Sequence, residues 1–125
     1  VPGAAPITAP AKFLFASDGG ILSAWTERKK ADGSFDWPAE AVPVIDESER
    51  GAQYFGLAIS RDYDTLYVAD FGKAPSLKVF DGEFKPVSQA FDQPFDTNRN
   101  GRVDAGEYAP FNVQALTLPN GEPRI

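Results

Sequence analysis

Tyr54-Phe55-Gly56-Leu57-Ala58-Ile59-Ser60, Arg61-Asp62-Tyr63-Asp64, Thr65-Leu66-Tyr67-Val68-Ala69-Asp70 and, a few residues on, Ser76-Leu77-Lys78-Val79-Phe80 form the most regular part of this chain. Short runs of β-branched and aromatic residues, separated by Asp- and Gly-bearing turns, read as antiparallel strands. Asp81-Gly82 reads as a tight turn, and Phe84 to Ser88 as a fourth strand. Four such strands joined by short turns make one sheet unit of an all-β protein.

The same signals extend upstream. Phe13-Leu14-Phe15-Ala16-Ser17, Asp18-Gly19-Gly20 and Ile21-Leu22-Ser23-Ala24-Trp25 predict a hairpin. Thr26 to Glu40 reads as a long polar loop with room for a small hairpin of its own, and the basic run Arg28-Lys29-Lys30 is placed on it, in solvent. Ala41-Val42-Pro43-Val44-Ile45-Asp46 predicts a strand that Pro43 confines to an edge, because proline cannot donate to a ladder. Residues 1–11, with proline at 2, 6 and 10, read as an extended lead or linker; a docking peptide for a proline-binding partner is the functional alternative. No segment carries a helical period.

Composition narrows the chemistry. The chain has 125 residues, 42% hydrophobic and 13% aromatic, enough for a core of its own. A net charge of −6 argues against nucleic acid, and no apolar run approaches a membrane span. It lacks cysteine, histidine and methionine. Thiolate and imidazole nucleophiles, the usual zinc sites and disulfides are thereby excluded. The first residue is Val1, which suggests a mature or excised piece whose targeting segment is gone.

Residues 96–107 carry the one recognisable chemistry. Asp96, Asn98 and Asn100 stand at positions 1, 3 and 5 of an EF-type calcium loop, with Gly101 at the sharp turn. Arg102 offers its backbone carbonyl at position 7, Asp104 fills position 9, and Glu107 at position 12 has two oxygens for the ion. Val103 supplies an apolar anchor. A polar turn that binds nothing is the alternative. Pro94 and Pro110 bracket the loop, so neither flank carries a full EF-type helix. A sensor works by reorienting two helices, so the expected role is to hold a connection in one shape. Calcium of this kind suits the millimolar concentrations outside cells, which tilts localisation toward secretion or the cell surface.

Further along, the residues carry a family likeness. Ala11-Lys12-Phe13-Leu14-Phe15-Ala16 with Asp18-Gly19 and Trp25 is one block. Gly51-Ala52, Tyr54, Gly56-Leu57-Ala58, Leu66-Tyr67-Val68-Ala69 and Val79-Phe80-Asp81 form a second, and Phe84, Pro86-Val87 and Tyr108-Ala109-Pro110-Phe111-Asn112-Val113-Gln114 complete it. Together they resemble the middle of a largely uncharacterised family of secreted bacterial NHL-like six-bladed β-propellers. The resemblance implies blades at about 12–50 and 53–90 and the first strand of a third at 111–118. Such proteins are some three times longer, so the remaining blades, or further copies of the chain, are the implied partners. The family often crosses from Phe91 to Tyr108 with a plain loop, so the calcium pattern stands on its own spacing.

Other candidates are weighed against simpler readings. Asp70-Phe71-Gly72 matches a kinase metal triplet but has none of its companion motifs and reads as a strand-ending turn. Asp62 and Asp64 read as turn formers rather than an acid/base pair. Asp46-Glu47-Ser48-Glu49-Arg50 reads as a solvated acidic loop, with a second cation site as the alternative. The serines lack a nucleophile elbow. Trp25 and Trp37 read as packing residues, with sugar stacking as the alternative. The expected function is therefore a non-enzymatic, calcium-stabilised structural or interaction module. Two alternatives remain, a subunit of an extracellular filament and a lactonase-type hydrolytic propeller, for which Asn112 and Gln114 are the only nearby polar candidates.

Overall fold

A computed structural model describes residues 9–88, 97, 98, 100 and 104–125. Those residues form several small antiparallel sheets, and their one helical element is a short 3-10 turn at Ser48–Arg50. The all-β class is what the alternating patterns demand.

The first sheet has three strands, β1 (Phe13–Ala16), β2 (Ile21–Trp25) and β5 (Val42–Asp46), in the order β1-β2-β5. β5 occupies an edge, as Pro43 requires. Its register shifts between Leu22 and Ser23, so Leu22 faces Ile45 whereas Ser23 faces Pro43. The extra residue is a bulge, which absorbs the proline without breaking the pairing. Between β2 and β5 the chain makes a two-stranded hairpin, β3 (Arg28–Lys29) with β4 (Phe35–Asp36). The basic run therefore begins inside a strand rather than on an open loop, and the Nε of Arg28 is buried without a partner among the described residues. Trp37, just after β4, stacks on Trp25 with ring centroids 6.1 Å apart, and the Trp25 indole donates to the Pro38 carbonyl at 2.8 Å.

The second sheet is β6 (Tyr54–Ile59), β7 (Thr65–Asp70) and β8 (Ser76–Asp81), in sequence order. The predicted fourth strand at Phe84 to Ser88 does not form a regular ladder. Phe84 adopts a left-handed backbone (φ 61°), and Pro86 makes a single bridge to Phe80. Pro86 has no N–H to continue the pairing, although Val87 still donates to the Val79 carbonyl at 2.9 Å.

The two sheets meet through one core. Leu22 and Ile45 from the first pack with Ala52, Tyr54, Leu66, Val68 and Phe80 from the second, flanked by Leu14, Ala16, Val44, Leu57 and Phe84. A main-chain bond stitches the seam, with Tyr54 N donating to Ser17 O at 3.1 Å, and Glu47 N extends the β2–β5 ladder to Gly20 O at 2.9 Å. Gly20 must be glycine there. Its φ is +76°, and a Cβ would stand 2.6 Å from the Ala52 carbonyl.

The opposite face of the second sheet is covered by the C-terminal segment. Phe111 stacks on Phe55 at 4.9 Å and meets Phe71 edge-on at 5.8 Å. Asn112 passes so close to Gly56 that a Cβ there would lie 2.8 Å from its Cα. The expected strand at 111–118 shrinks to β9 (Leu116–Thr117), which pairs with β10 (Pro123–Arg124). Among the described residues no helix is long and apolar enough to cross a membrane.

Candidate metal site

Of the six predicted metal-binding residues, Asp96 and Arg102 lie outside the described residues, as do Gly101 and Val103. The other four converge. Glu107 spans the loop: its Oε1 accepts from Thr97 N at 2.7 Å and from the Thr97 hydroxyl, and its Oε2 accepts from Asp104 N at 3.0 Å. Asp104 Oδ2 in turn accepts from the side-chain amides of Asn98 (2.8 Å) and Asn100 (2.5 Å). Asn98 Oδ1 accepts from Asn100 N at 3.0 Å, an Asx turn that bends the chain at the start of the loop.

These are all hard oxygen or amide groups, the donor chemistry that calcium takes. An amide offers oxygen or nitrogen to the same place by a half-turn about its last torsion. Asn98 and Asn100, which here donate to Asp104, can thus present Oδ1 to a cation bound at that carboxylate. The Thr97 hydroxyl and then the Asp104 N–H favour the charged form of Glu107 and hold its carboxyl below the usual range. The carboxylate is therefore ionised at neutral pH. Among the described residues alone, no three acidic, histidine or cysteine side chains gather closely enough to hold an ion.

A second polar cluster lies at the seam of the two sheets. Asp70, 1% exposed, ends β7 with Oδ1 accepting from Gln53 N (3.0 Å) and Gly72 N (2.8 Å). The Asp-Phe-Gly triplet is thus a strand-ending turn. Asp70 Oδ2 pairs with Lys78 Nζ at 3.0 Å, and Lys78 also pairs with Glu47 Oε2. That same Glu47 oxygen accepts from the Tyr54 hydroxyl at 2.5 Å, while Lys78 Nζ lies 5.6 Å from the centre of the Tyr54 ring. Burial opposes the charge on Glu47, but the bonds from Lys78 and Tyr54 outweigh it, so its carboxyl sits below the usual range. Burial first, and then the neighbouring Glu47, push the Tyr54 hydroxyl up.

The 46–50 segment is therefore not uniformly a solvated acidic loop. Asp46 faces solvent and caps Ser48 at 3.0 Å, whereas Glu47 turns inward to a lysine 31 residues away. Local composition gave no sign of that pairing. The remaining candidates are accounted for locally. Asp62 accepts from the Ser60 hydroxyl and from Asp64 N at 3.3 Å within the β6–β7 turn. Asn112 Oδ1 accepts from Val113 N at 2.8 Å.

The sequence matches no family model, and the structure matches no solved one. Part of the chain is similar to the signal peptidase complex catalytic subunit SEC11 of Ajellomyces capsulatus, in strains H143 and H88. Each is 37% identical over 68 residues, covering 52% of this chain and 36% of the relative. The chain thus spans about a third of the length of the curated relatives it matches.

Proposed function

We propose that this chain is a calcium-stabilised β-propeller segment of a secreted or cell-surface protein, serving as a structural or interaction module. The observation that carries the reading is the closure of the 97–107 loop by Glu107, whose two oxygens bind both ends of it. A glutamate at position 12 that spans the loop in this way is placed to use both oxygens on one ion. Calcium neutralises Asp96, Asp104 and Glu107 together and fixes the connection between the second sheet and the Phe111 segment. Because prolines bracket the loop, it acts as a clip rather than a sensor. With three carboxylates near Arg99 and Arg102, the expected affinity is weak to moderate, around 10⁻⁵ to 10⁻³ M.

The propeller part of the reading is supported by two sheets packed face to face, with the face of the second covered by the start of a further unit. Isothermal calorimetry with calcium, repeated on Glu107→Gln, tests the site. Equal binding by both proteins overturns it.

A further inference from the structure

We infer that the outer edge of β1 pairs with the same edge of a second copy of this chain, antiparallel and centred on Phe15. β1 ends its sheet, in the order β1-β2-β5. Ser17 N donates to Ile21 O at 3.0 Å, and the register continues unbroken from Ala16↔Leu22 to Phe13↔Trp25. Main-chain groups alternate sides along an antiparallel strand. Phe13 and Phe15 therefore bond β2, and Leu14 and Ala16 turn their N–H and C=O groups away from it. Among the described residues no hydrogen bond reaches those groups from the outer side.

The other strands that end the two three-stranded sheets are protected against such pairing. β5 carries Pro43 and a bulge. β8 is bordered by residues 85–87, with Asp81 N donating to Lys85 O and Val87 N to Val79 O, both at 2.9 Å. β6 has a bulge between Tyr54 and Gly56, and the Asn112 backbone lies against Gly56. Prolines, bulges and covering segments are the devices that keep natural edges from joining. β1 has none of them. It reads Phe-Leu-Phe-Ala, without charge or proline, and Phe13 and Phe15 are 59% and 53% exposed.

Charge identifies the occupant and fixes the register. Two copies of a chain with net charge −6 repel unless opposite charges meet where they touch. This edge is complementary to itself: Lys12 lies just before the strand and Asp18 just after it. An antiparallel copy centred on Phe15 sets each Lys12 opposite the other copy's Asp18. It also sets Leu14 opposite Ala16 of the second copy, so that the outward main-chain groups satisfy one another. The two Phe15 side chains meet across the axis, where paired side chains stand closest. Centring on Leu14 would set Lys12 against Ala16, and centring on Ala16 would set Asp18 against Leu14; neither joins opposite charges. Lys12 pairs with Glu27 at 3.0 Å yet stays exposed, and Asp18 has no ion pair among the described residues. Because the same edge serves both copies, the pairing closes at a dimer. It uses no residue of the 97–107 loop, so it stands or falls apart from the calcium site.

The test is sedimentation of the whole chain over a range of concentrations, in EDTA and again in calcium. A short edge buries little area, so the expected dimer constant is about 10⁻⁵ to 10⁻⁴ M in either buffer. Phe15→Lys places like charges across the axis and should weaken the dimer at least about tenfold. Asp18→Lys should weaken it about three- to fivefold, and adding Lys12→Glu to that variant should restore it. Phe15 and Asp18 are exposed, so these variants keep the parent's melting temperature at concentrations where it is monomeric. The proposal is overturned if the parent stays monomeric at about 1 mM, if Phe15→Lys associates like the parent, or if the charge exchange restores nothing.

Discussion

The seam between the two sheets and the 97–107 loop both concentrate carboxylates, but they handle the charge in opposite ways. At the seam, buried Asp70 and half-buried Glu47 share Lys78, and Arg50 reaches Glu47 at 3.8 Å, so the counter-charge comes from within the protein. In the loop, Glu107 is half-exposed and is bonded by a hydroxyl and by main-chain N–H groups, which orient it without neutralising it. A buried cluster needs its counter-charge built in, because desolvation makes an unpaired ion costly. An exposed cluster can leave its counter-charge to the solvent. The seam is therefore a fixed structural joint, and the loop is where the proposed cation would add stability.

Removing the counter-charge at the seam should have the largest effect. Lys78→Ala leaves Asp70 and Glu47 together in a site where Lys78 is 22% and Asp70 2% exposed. The expected cost is about 3–5 kcal/mol in urea unfolding, and calcium should not restore it. A loss under about 1 kcal/mol would show that water screens the cluster well enough to dispense with the lysine.

The same cluster sets a pH dependence. Glu47 has a lowered pKa when folded, so its contribution is present above the ordinary value of 4.5 and is lost as pH falls through the folded one. Stability of the parent should therefore drop below about pH 4.5. Glu47→Gln should flatten that drop, as read from urea midpoints across the acid range.

The loop responds to its own perturbation. About 10 mM calcium should raise the melting temperature by about 5–10 °C, and EDTA should reverse the gain. Glu107→Gln should abolish the calcium-dependent part while leaving the seam untouched. A gain that survives in Glu107→Gln would place the ion elsewhere.

Much of the architecture is legible in short stretches. β6, β7 and β1 with β2 carry aromatic and β-branched runs around Asp-containing turns, and Pro43 announces an edge. The failures share a cause. Phe84 to Ser88 has the composition of a strand, but Pro86 cannot donate and Phe84 is bent into a left-handed turn. Residues 111–115 carry a strand-like pattern because Phe111 needs a greasy neighbour, which it finds on Phe55 and Phe71 rather than in a ladder. Glu47 looks like any surface acid until Lys78 arrives from a strand 31 residues away. The loop spacing singles out Asn98, Asn100, Asp104 and Glu107, but not the Thr97 bonds that orient Glu107. Pairing across the fold has no local signature, whereas alternation, turns and prolines do.

The smallest effect should come from the turn joining β6 to β7, which belongs to neither cluster. Tyr63 is 75% exposed and sits at φ 62°, a left-handed conformation that crowds its Cβ against the backbone. The turn holds it there because Tyr63 N donates to Ser60 O at 2.9 Å and Ser60 N to Thr65 O at 2.8 Å. Glycine reaches that conformation without the clash, but it also leaves a more flexible unfolded chain. The relief of strain is the larger of the two, so Tyr63→Gly should stabilise by up to about 1 kcal/mol. It should do so equally with and without calcium. A calcium-dependent change in this variant would mean that the β6–β7 turn and the 97–107 loop are coupled through the face that Phe111 covers.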